Sequence, residues 1–207
     1  GYIGPTGRIF KMWTFSNIHA KLCHDTRSNT FIIPSKFSLT IASAYESTII
    51  ELASNLMNEE VVLNNVQLKV EKMSVNRDNV TKDTLRFRTL SPVTEYSTLS
   101  TPTGKKVTHY YCPMEKEFSE LIYNNLKSKY YIKHGEMPPE HEFSIDSAGK
   151  CKEHIVMYKD TVIKAWSGVF LMRAYPKLIE IALSCGLGAK NSQGFGCIES
   201  ISNNYMF

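Results

Sequence analysis

The residues best suited to chemistry lie near the C-terminus, in Gly186-Leu187-Gly188-Ala189-Lys190-Asn191-Ser192-Gln193-Gly194-Phe195-Gly196. Glycine lets a backbone approach a ligand closely and adopt positive φ. Successive N–H groups in such a segment can form an anion-holding concavity, and Lys190 adds a point charge. Asn191, Ser192 and Gln193 supply further donors. The segment is not a P-loop, which needs GxxxxGK[ST] between a strand and a helix. Nor is it a dinucleotide fingerprint, because no strand precedes the first glycine and the spacing after Gly188 is wrong. Two readings stay open: a loop against a phosphate backbone, or a tight crossover returning the chain to a sheet.

Other chemistry has weaker support. The histidines are His19, His24, His109, His134, His141 and His154. None forms HxxxH or HExxH, and the acidic residues form no DxD pair, so the sequence predicts no metal site. His19 and His24 flank the turn after the first strand, where either could act as a general acid or base, or simply be a surface histidine. Cys23 lies near His19, but the motifs of a thiol–imidazole enzyme are missing. Arg86 and Arg88 alternate on one strand face, and Lys11 stands beside Met12 and Trp13. With Lys105, Lys106, Lys127, Lys129 and several tyrosines, these charges suit RNA, which binds basic grooves with aromatic platforms. They equally suit ordinary solvated ends of elements.

The chain has 207 residues, with 43% hydrophobic and 21% charged residues and a net charge of +4. These values fit a globular core of one or two domains, and no apolar run approaches the roughly 20 residues of a membrane-spanning helix. The mild positive charge permits a nucleic-acid partner without requiring one. The five cysteines form no CxxC pair, so a reducing cytoplasm is expected and a disulfide framework is not. No cofactor is expected. The opening residues lack an initiator Met and read as the middle of a protein.

Hydrophobic periodicity predicts the elements that position these residues. A strand over 9–15 is expected to pair with a short strand over 31–33. A helix opened by Pro34 and Ser35 carries Phe37, Ile41, Tyr45, Thr48, Leu52 and Leu56 on one face, and one or two strands follow over 61–73. The polar run 74–83 reads as a linker. Beyond it come a strand over 84–89, a helix after Pro113 with Lys127 and Lys129 in its last turn, a strand over 142–145, a hairpin or bent strand pair over 155–174, a helix from Pro176 and a strand over 197–201. Strand, helix, strand, strand, helix, strand is the ferredoxin-like order. The predicted fold class is therefore α+β with tandem ferredoxin-like (RRM-like) domains: 1–76, lacking its opening strand and helix, and 84–207, carrying the glycine segment. The alternative is one irregular α+β domain. An incomplete first domain would leave a sheet edge and an apolar helix face for a partner chain or a further stretch to cover.

Four stretches resemble a known family in order and spacing. GLGAKNSQGFGCIE resembles the C-terminal glycine-rich loop of the CRISPR repeat-processing endoribonucleases of the RAMP superfamily. RIFKMWTFS resembles that family's second strand, LRFRTLSPV the strand and turn opening its second domain, and CPMEKEFSELIYNNLKSKY the first helix of that domain. The resemblance implies a metal-independent enzyme that binds CRISPR repeat RNA and cuts precursor crRNA. The 2′-hydroxyl attacks the adjacent phosphate, leaving a 2′,3′-cyclic phosphate and a 5′-hydroxyl. It places Lys11 as the catalytic cation. Arg86, Arg88, Gly186, Gly188, Lys190, Asn191, Ser192, Gln193 and Gly194 are the expected RNA contacts.

The family's tyrosine and histidine upstream of that lysine have no counterpart here. Either a preceding stretch holds the histidine, or His19 or His24 replaces it, or the protein binds RNA without cutting it. Family members occur as monomers and dimers, and the processed RNA either stays bound or passes to a CRISPR effector complex. A metabolic ferredoxin-like enzyme is the reading from a different class.

Overall fold

The computed structural model describes residues 1–201 except 22, 29, 34, 35 and 64. The first part holds small sheets. β1 (Tyr2–Ile3) pairs with β2 (Ile9–Phe10), and β3 (Trp13–Phe15) follows after a break at Lys11 and Met12. β4 (Cys23–Asp25) and β5 (Thr30–Ile32) form a hairpin, and β6 (Ile41–Ser43) returns to pair antiparallel with β3. α1 (Glu46–Asn58) and the hairpin of β7 (Val61–Leu63) and β8 (Val66–Leu68) complete this part.

Three expectations for this part are corrected. The strand over 9–15 is two strands, because β2 pairs with β1 whereas β3 pairs with β6. At the break, the Met12 carbonyl accepts from Ala44 N at 3.0 Å and from Ser43 Oγ at 3.1 Å. The partner of β3 is β6, not the segment near residue 32, which pairs locally with β4. The helix starts at Glu46, and its expected opening at Pro34 and Ser35 lies outside the described residues. Ile41 and its neighbours had matched the helical spacing only by coincidence with a strand. A three-residue strand is too short to show its own period.

The second part is built on one sheet. β9 (Thr84–Thr89) leads to the hairpin of β10 (Tyr96–Ser100) and β11 (Lys106–Tyr110), then to α2 (Lys116–His134) and β12 (Ser144–Ser147). The hairpin of β13 (Lys152–Tyr158) and β14 (Thr161–Ser167) precedes β15 (Val169–Arg173), α3 (Pro176–Cys185) and β16 (Ile198–Ser200). The sheet order is β12-β15-β9-β16, all antiparallel. With α2 after the first strand and α3 after the third, this is the ferredoxin-like arrangement.

Alternation along β9 sends Phe87 into the core and Arg86 and Arg88 to the opposite face. Phe87, Phe170, Ile145 and Ile198 pack beneath Phe118, Ile122, Leu126, Leu178 and Ile179 of the two helices. Phe10, Met12 and Ala44 belong to the same core, so the first part is packed onto the second. Lys133 Nζ donates to the Ala44 carbonyl at 2.6 Å across that junction.

Two further differences matter. The hairpin β10–β11 was not anticipated, since its Ser, Thr and Lys residues carry no apolar alternation. α2 runs to His134, so Lys129 lies inside the helix and not in its last turn. Among the described residues no helix is long and apolar enough to cross a membrane. All five cysteines are free thiols.

Candidate functional site

The glycine segment leaves α3 at Gly186 and folds over α2 at Asn125 and Lys129. Its centre is a 3-10 turn (Asn191–Gln193), flanked by Lys190 and Gly194 in left-handed conformation. Gly186, Gly188 and Gly196 are required by contact. A Cβ on Gly196, at φ +74°, would lie 1.9 Å from the Leu187 carbonyl oxygen, and one on Gly188, at φ +68°, would lie 2.6 Å from that of Thr94. The segment is pinned from below by Lys129, whose Nζ donates to the Gly186 carbonyl at 2.7 Å and to Asn191 Oδ1 at 2.7 Å. Asn191 Nδ2 in turn donates to the carbonyls of Leu187 at 2.9 Å and Phe195 at 3.1 Å. Thr14 Oγ1, on β3, donates to the same Phe195 carbonyl at 3.1 Å. A buried ammonium and one amide thus hold the loop on both its flanks.

Two other buried polar side chains lie beneath this loop. Glu95 is 3% exposed and Asn125 is 6% exposed. Glu95 Oε1 and Asn125 Oδ1 have no hydrogen-bond partner among the described residues. Burial pushes the Glu95 carboxyl up to about 7, against the opposing pull of Lys129 and Arg8. Burial likewise lowers Lys129 to about 8. Lys129 therefore stays an ammonium at neutral pH and keeps its donors.

The outer rim of the loop forms one wall of a pocket of about 220 Å³. Gly188, Lys190, Asn191, Ser192 and Gln193 face Arg8, Phe10 and Lys11 across it, with Tyr96 and Asn125 also in the lining. Among the described residues three cationic side chains line it and no carboxylate does. Lys190 Nζ sits 5.2 Å from the centroid of the Tyr96 ring, a cation–π contact. Tyr96 lies beside Tyr110, centroids 5.5 Å apart, so cation and aromatic surface continue onto the hairpin β10–β11. Such a pocket attracts an anion and offers flat rings beside it.

The expected site residues divide accordingly. Lys11 and the tip of the glycine segment, remote in sequence, line the same pocket. Gly186 and Gly188 are buried, and their backbones serve loop packing more than ligand approach. Gly194 packs beside Phe15. The exposed face of the segment reduces to Lys190, Ser192 and Gln193. His19 is exposed and bridges Ser38 through its backbone, and His24 is exposed on β4; neither lines the pocket. Arg86 and Arg88 lie on the outer face of the sheet, outside the pocket lining. Arg88 forms an ion pair with Glu199 on β16, which offsets its charge.

Sequence reasoning missed Arg8, Tyr96, Glu95, Asn125 and the role of Lys129. Arg8 was within reach, since it stands three residues before Lys11. Glu95, Asn125 and Lys129 carry no sequence signal, because a polar residue in a helix or loop reads as solvated. Among the described residues no group of three or more His, Cys, Asp or Glu is placed to hold a metal ion.

With this geometry in hand, comparison with known proteins is consistent on all sides. Residues 71–200 match the family model described as CRISPR associated protein Cas6, C-terminal. The chain is 27% identical over 195 residues to the CRISPR-associated endoribonuclease Cas6 of Pyrococcus furiosus, covering 93% of this chain and 72% of that protein. It is 25% identical over 195 residues to the CRISPR-associated endoribonuclease Cas6 1 of Methanocaldococcus jannaschii, covering 94% and 75%. A solved structure of a Cas6-related gene product from Pyrococcus furiosus superposes with a TM-score of 0.81 at 22% identity, over 93% of this chain and 79% of that one. Another, a RAMP protein binding different RNA substrates, gives 0.79 at 22% identity, over 92% and 80%. At these identities the structural likeness speaks for a shared α+β fold.

Proposed function

Because the chain belongs to the Cas6 family of CRISPR-associated proteins, we propose that it is an endoribonuclease that binds CRISPR repeat RNA and cuts precursor crRNA. The observation that carries this reading is the meeting of Lys11, Arg8 and Lys190 around one pocket that no carboxylate lines among the described residues. An RNA phosphate placed there meets three cations and the donors of Ser192 and Gln193. The neighbouring Tyr96 and Tyr110 offer stacking surface to adjoining nucleotides.

The proposed reaction needs no metal. The 2′-hydroxyl loses its proton to a base and attacks the adjacent phosphorus. The bond to the 5′-oxygen breaks, and that oxygen takes up a proton. The products are a 2′,3′-cyclic phosphate and a 5′-hydroxyl. Charge builds on the phosphorane oxygens, and Lys11, at the rim, is the group we assign to stabilise it. Lys190, Ser192 and Gln193 hold the strand, on a base built by Gly186, Gly188, Asn191 and Gly194, which had been expected to touch the RNA themselves. Arg86 and Arg88 extend contact over the sheet face. The same reading takes 1–76 and 84–207 as tandem ferredoxin-like domains, the first incomplete, in a cytoplasmic protein. It extends to a homodimer and to handover of the product to an effector complex.

A second reading is a repeat-RNA-binding subunit without cleavage. It is favoured by the positions of His19 and His24, neither of which lines the Lys11 pocket. Incubation of the whole protein with repeat RNA in EDTA separates the two. A fragment ending in a cyclic phosphate supports the enzyme. Tight binding without a fragment supports the subunit, and absence of binding overturns both.

A further inference from the structure

The wall of the pocket rests on a buried charge. Lys129 is 1% exposed, and its hydrogen bonds among the described residues all end on the glycine segment: the Gly186 carbonyl at 2.7 Å, the Gly188 carbonyl at 3.4 Å and Asn191 Oδ1 at 2.7 Å. An ammonium has three donors and matches these three acceptors. A neutral amine has two donors and a lone pair, so one acceptor would face that lone pair and the other bonds would lose their charge assistance. Asn191, which Lys129 grips, lies between Lys190 and Ser192 in the lining. Glu95 lies under the same loop, its Cγ 3.4 Å from where a Cβ on Gly188 would sit, and its Oε1 has no hydrogen-bond partner among the described residues. Neither Lys129 nor Glu95 lines the pocket. Both act on it from beneath, through protein interior that screens charge far less than water does.

We propose that Lys129 is a positioning residue for RNA, and that the buried Lys129–Glu95 pair makes RNA binding take up protons. The proposal rests on the RNA reading above and adds proton linkage to it. With both groups protonated, the pair places one positive charge beneath the anion site. With Glu95 ionised the two charges cancel, and with Lys129 also deprotonated a negative charge remains. Burial raises Glu95 to about 7 and lowers Lys129 to about 8, so both steps fall close together. The other groups facing the pair are Arg8, which lines the pocket, and Cys185 on α3, whose thiol is kept protonated by burial. A phosphate bound above favours the protonated form of each group. By linkage, each proton favours the phosphate by the same factor. RNA affinity therefore falls as pH rises through about 7 and again through about 8, and binding between those values is accompanied by proton uptake.

The test is binding of repeat RNA, made uncleavable by 2′-fluoro riboses, to the whole protein at fixed salt from about pH 6 to about pH 8.5. Affinity is expected to fall at least roughly fivefold over that range, the lower end of coupling between sites. Lys129→Arg keeps its charge throughout, and the fall is expected to shrink. Glu95→Gln mimics the neutral carboxyl, and is expected to bind like wild type at the acid end and tighter at the alkaline end. Calorimetry in buffers of different ionisation enthalpy is expected to show proton uptake by wild type and less by Glu95→Gln. A Lys129 that only supports the fold would leave the pH profile of both variants like that of wild type. Where Lys129→Arg does not fold, Glu95→Gln decides alone. Affinity that is flat with pH, or a fall that is the same in wild type and either folded variant, overturns the proton linkage alone. Failure to bind at any pH overturns the RNA reading beneath it.

Discussion

Lys129 Nζ donates to Asn191 Oδ1 at 2.7 Å inside the protein, joining the middle of α2 to the centre of the glycine segment. The loop that presents Lys190 is thus set by the helix packed beside α3, the helix it leaves. The same ammonium holds the Gly186 carbonyl at 2.7 Å, so one side chain fixes both the start and the turn of the loop. Its removal by Lys129→Met would leave two buried acceptors open, each at a cost of about 1–3 kcal/mol. The expected result is a lower unfolding midpoint and faster amide exchange over 186–191. Unchanged exchange in that stretch would show that the loop holds itself.

Glu95 makes folding depend on pH. Its carboxyl ionises near 4.5 when unfolded and near 7 when folded, chiefly through burial. Between those values the folded state holds more proton, so this group's stabilising contribution is present below 4.5 and is lost as pH rises through 7. The shift corresponds to about 3 kcal/mol. Glu95→Gln should therefore gain stability over wild type at pH 8 but not at pH 4, read from urea midpoints. A difference that does not change with pH would contradict this.

Lys190 holds a left-handed conformation, φ 60°, that glycine adopts without strain. Lys190→Gly should leave stability equal or raise it by about 1 kcal/mol. It should nevertheless weaken RNA binding and reduce the slope of log K against log salt by about one unit per lost phosphate contact. An unchanged slope would remove Lys190 from the interface.

Gly196 and Gly188 have no room for a methyl group. Gly196→Ala, facing a carbonyl oxygen at 1.9 Å, should destabilise by more than 4 kcal/mol on the order of the largest single-substitution effects. Gly194→Ala, which meets only the edge of Phe15 at 3.0 Å, should cost less. Thermal melts of the two variants order these costs, and a mild Gly196→Ala would mean that the loop can shift as a unit.

The second half was largely legible in the sequence because its elements carry strong local marks. Pro176 opens α3, Leu85 and Phe87 alternate against Arg86 and Arg88, and glycines mark the loop. The first half was less so. Ile41, Ala42 and Ser43 form three residues of strand next to a helix, and over so short a span the two periods cannot be told apart. The meeting of Lys11 with Lys190 was not foreseen: Lys190 was chosen from the glycine segment itself and Lys11 from a family resemblance, and their proximity depends on how the chain around β2 packs against the loop. Asn125, Glu95 and Lys129 were invisible for one reason: burial of polar groups depends on tertiary packing, and composition treats such residues as solvated.

Lysine footprinting in the presence of repeat RNA tests the central claim most directly. The whole protein is acylated with and without RNA, and each lysine is quantified by mass spectrometry. The account predicts joint protection of Lys11 and Lys190, while the exposed Lys116, on α2 and outside the pocket, reacts at the same rate in both samples. Equal labelling of Lys11 and Lys190 at saturating RNA would contradict it.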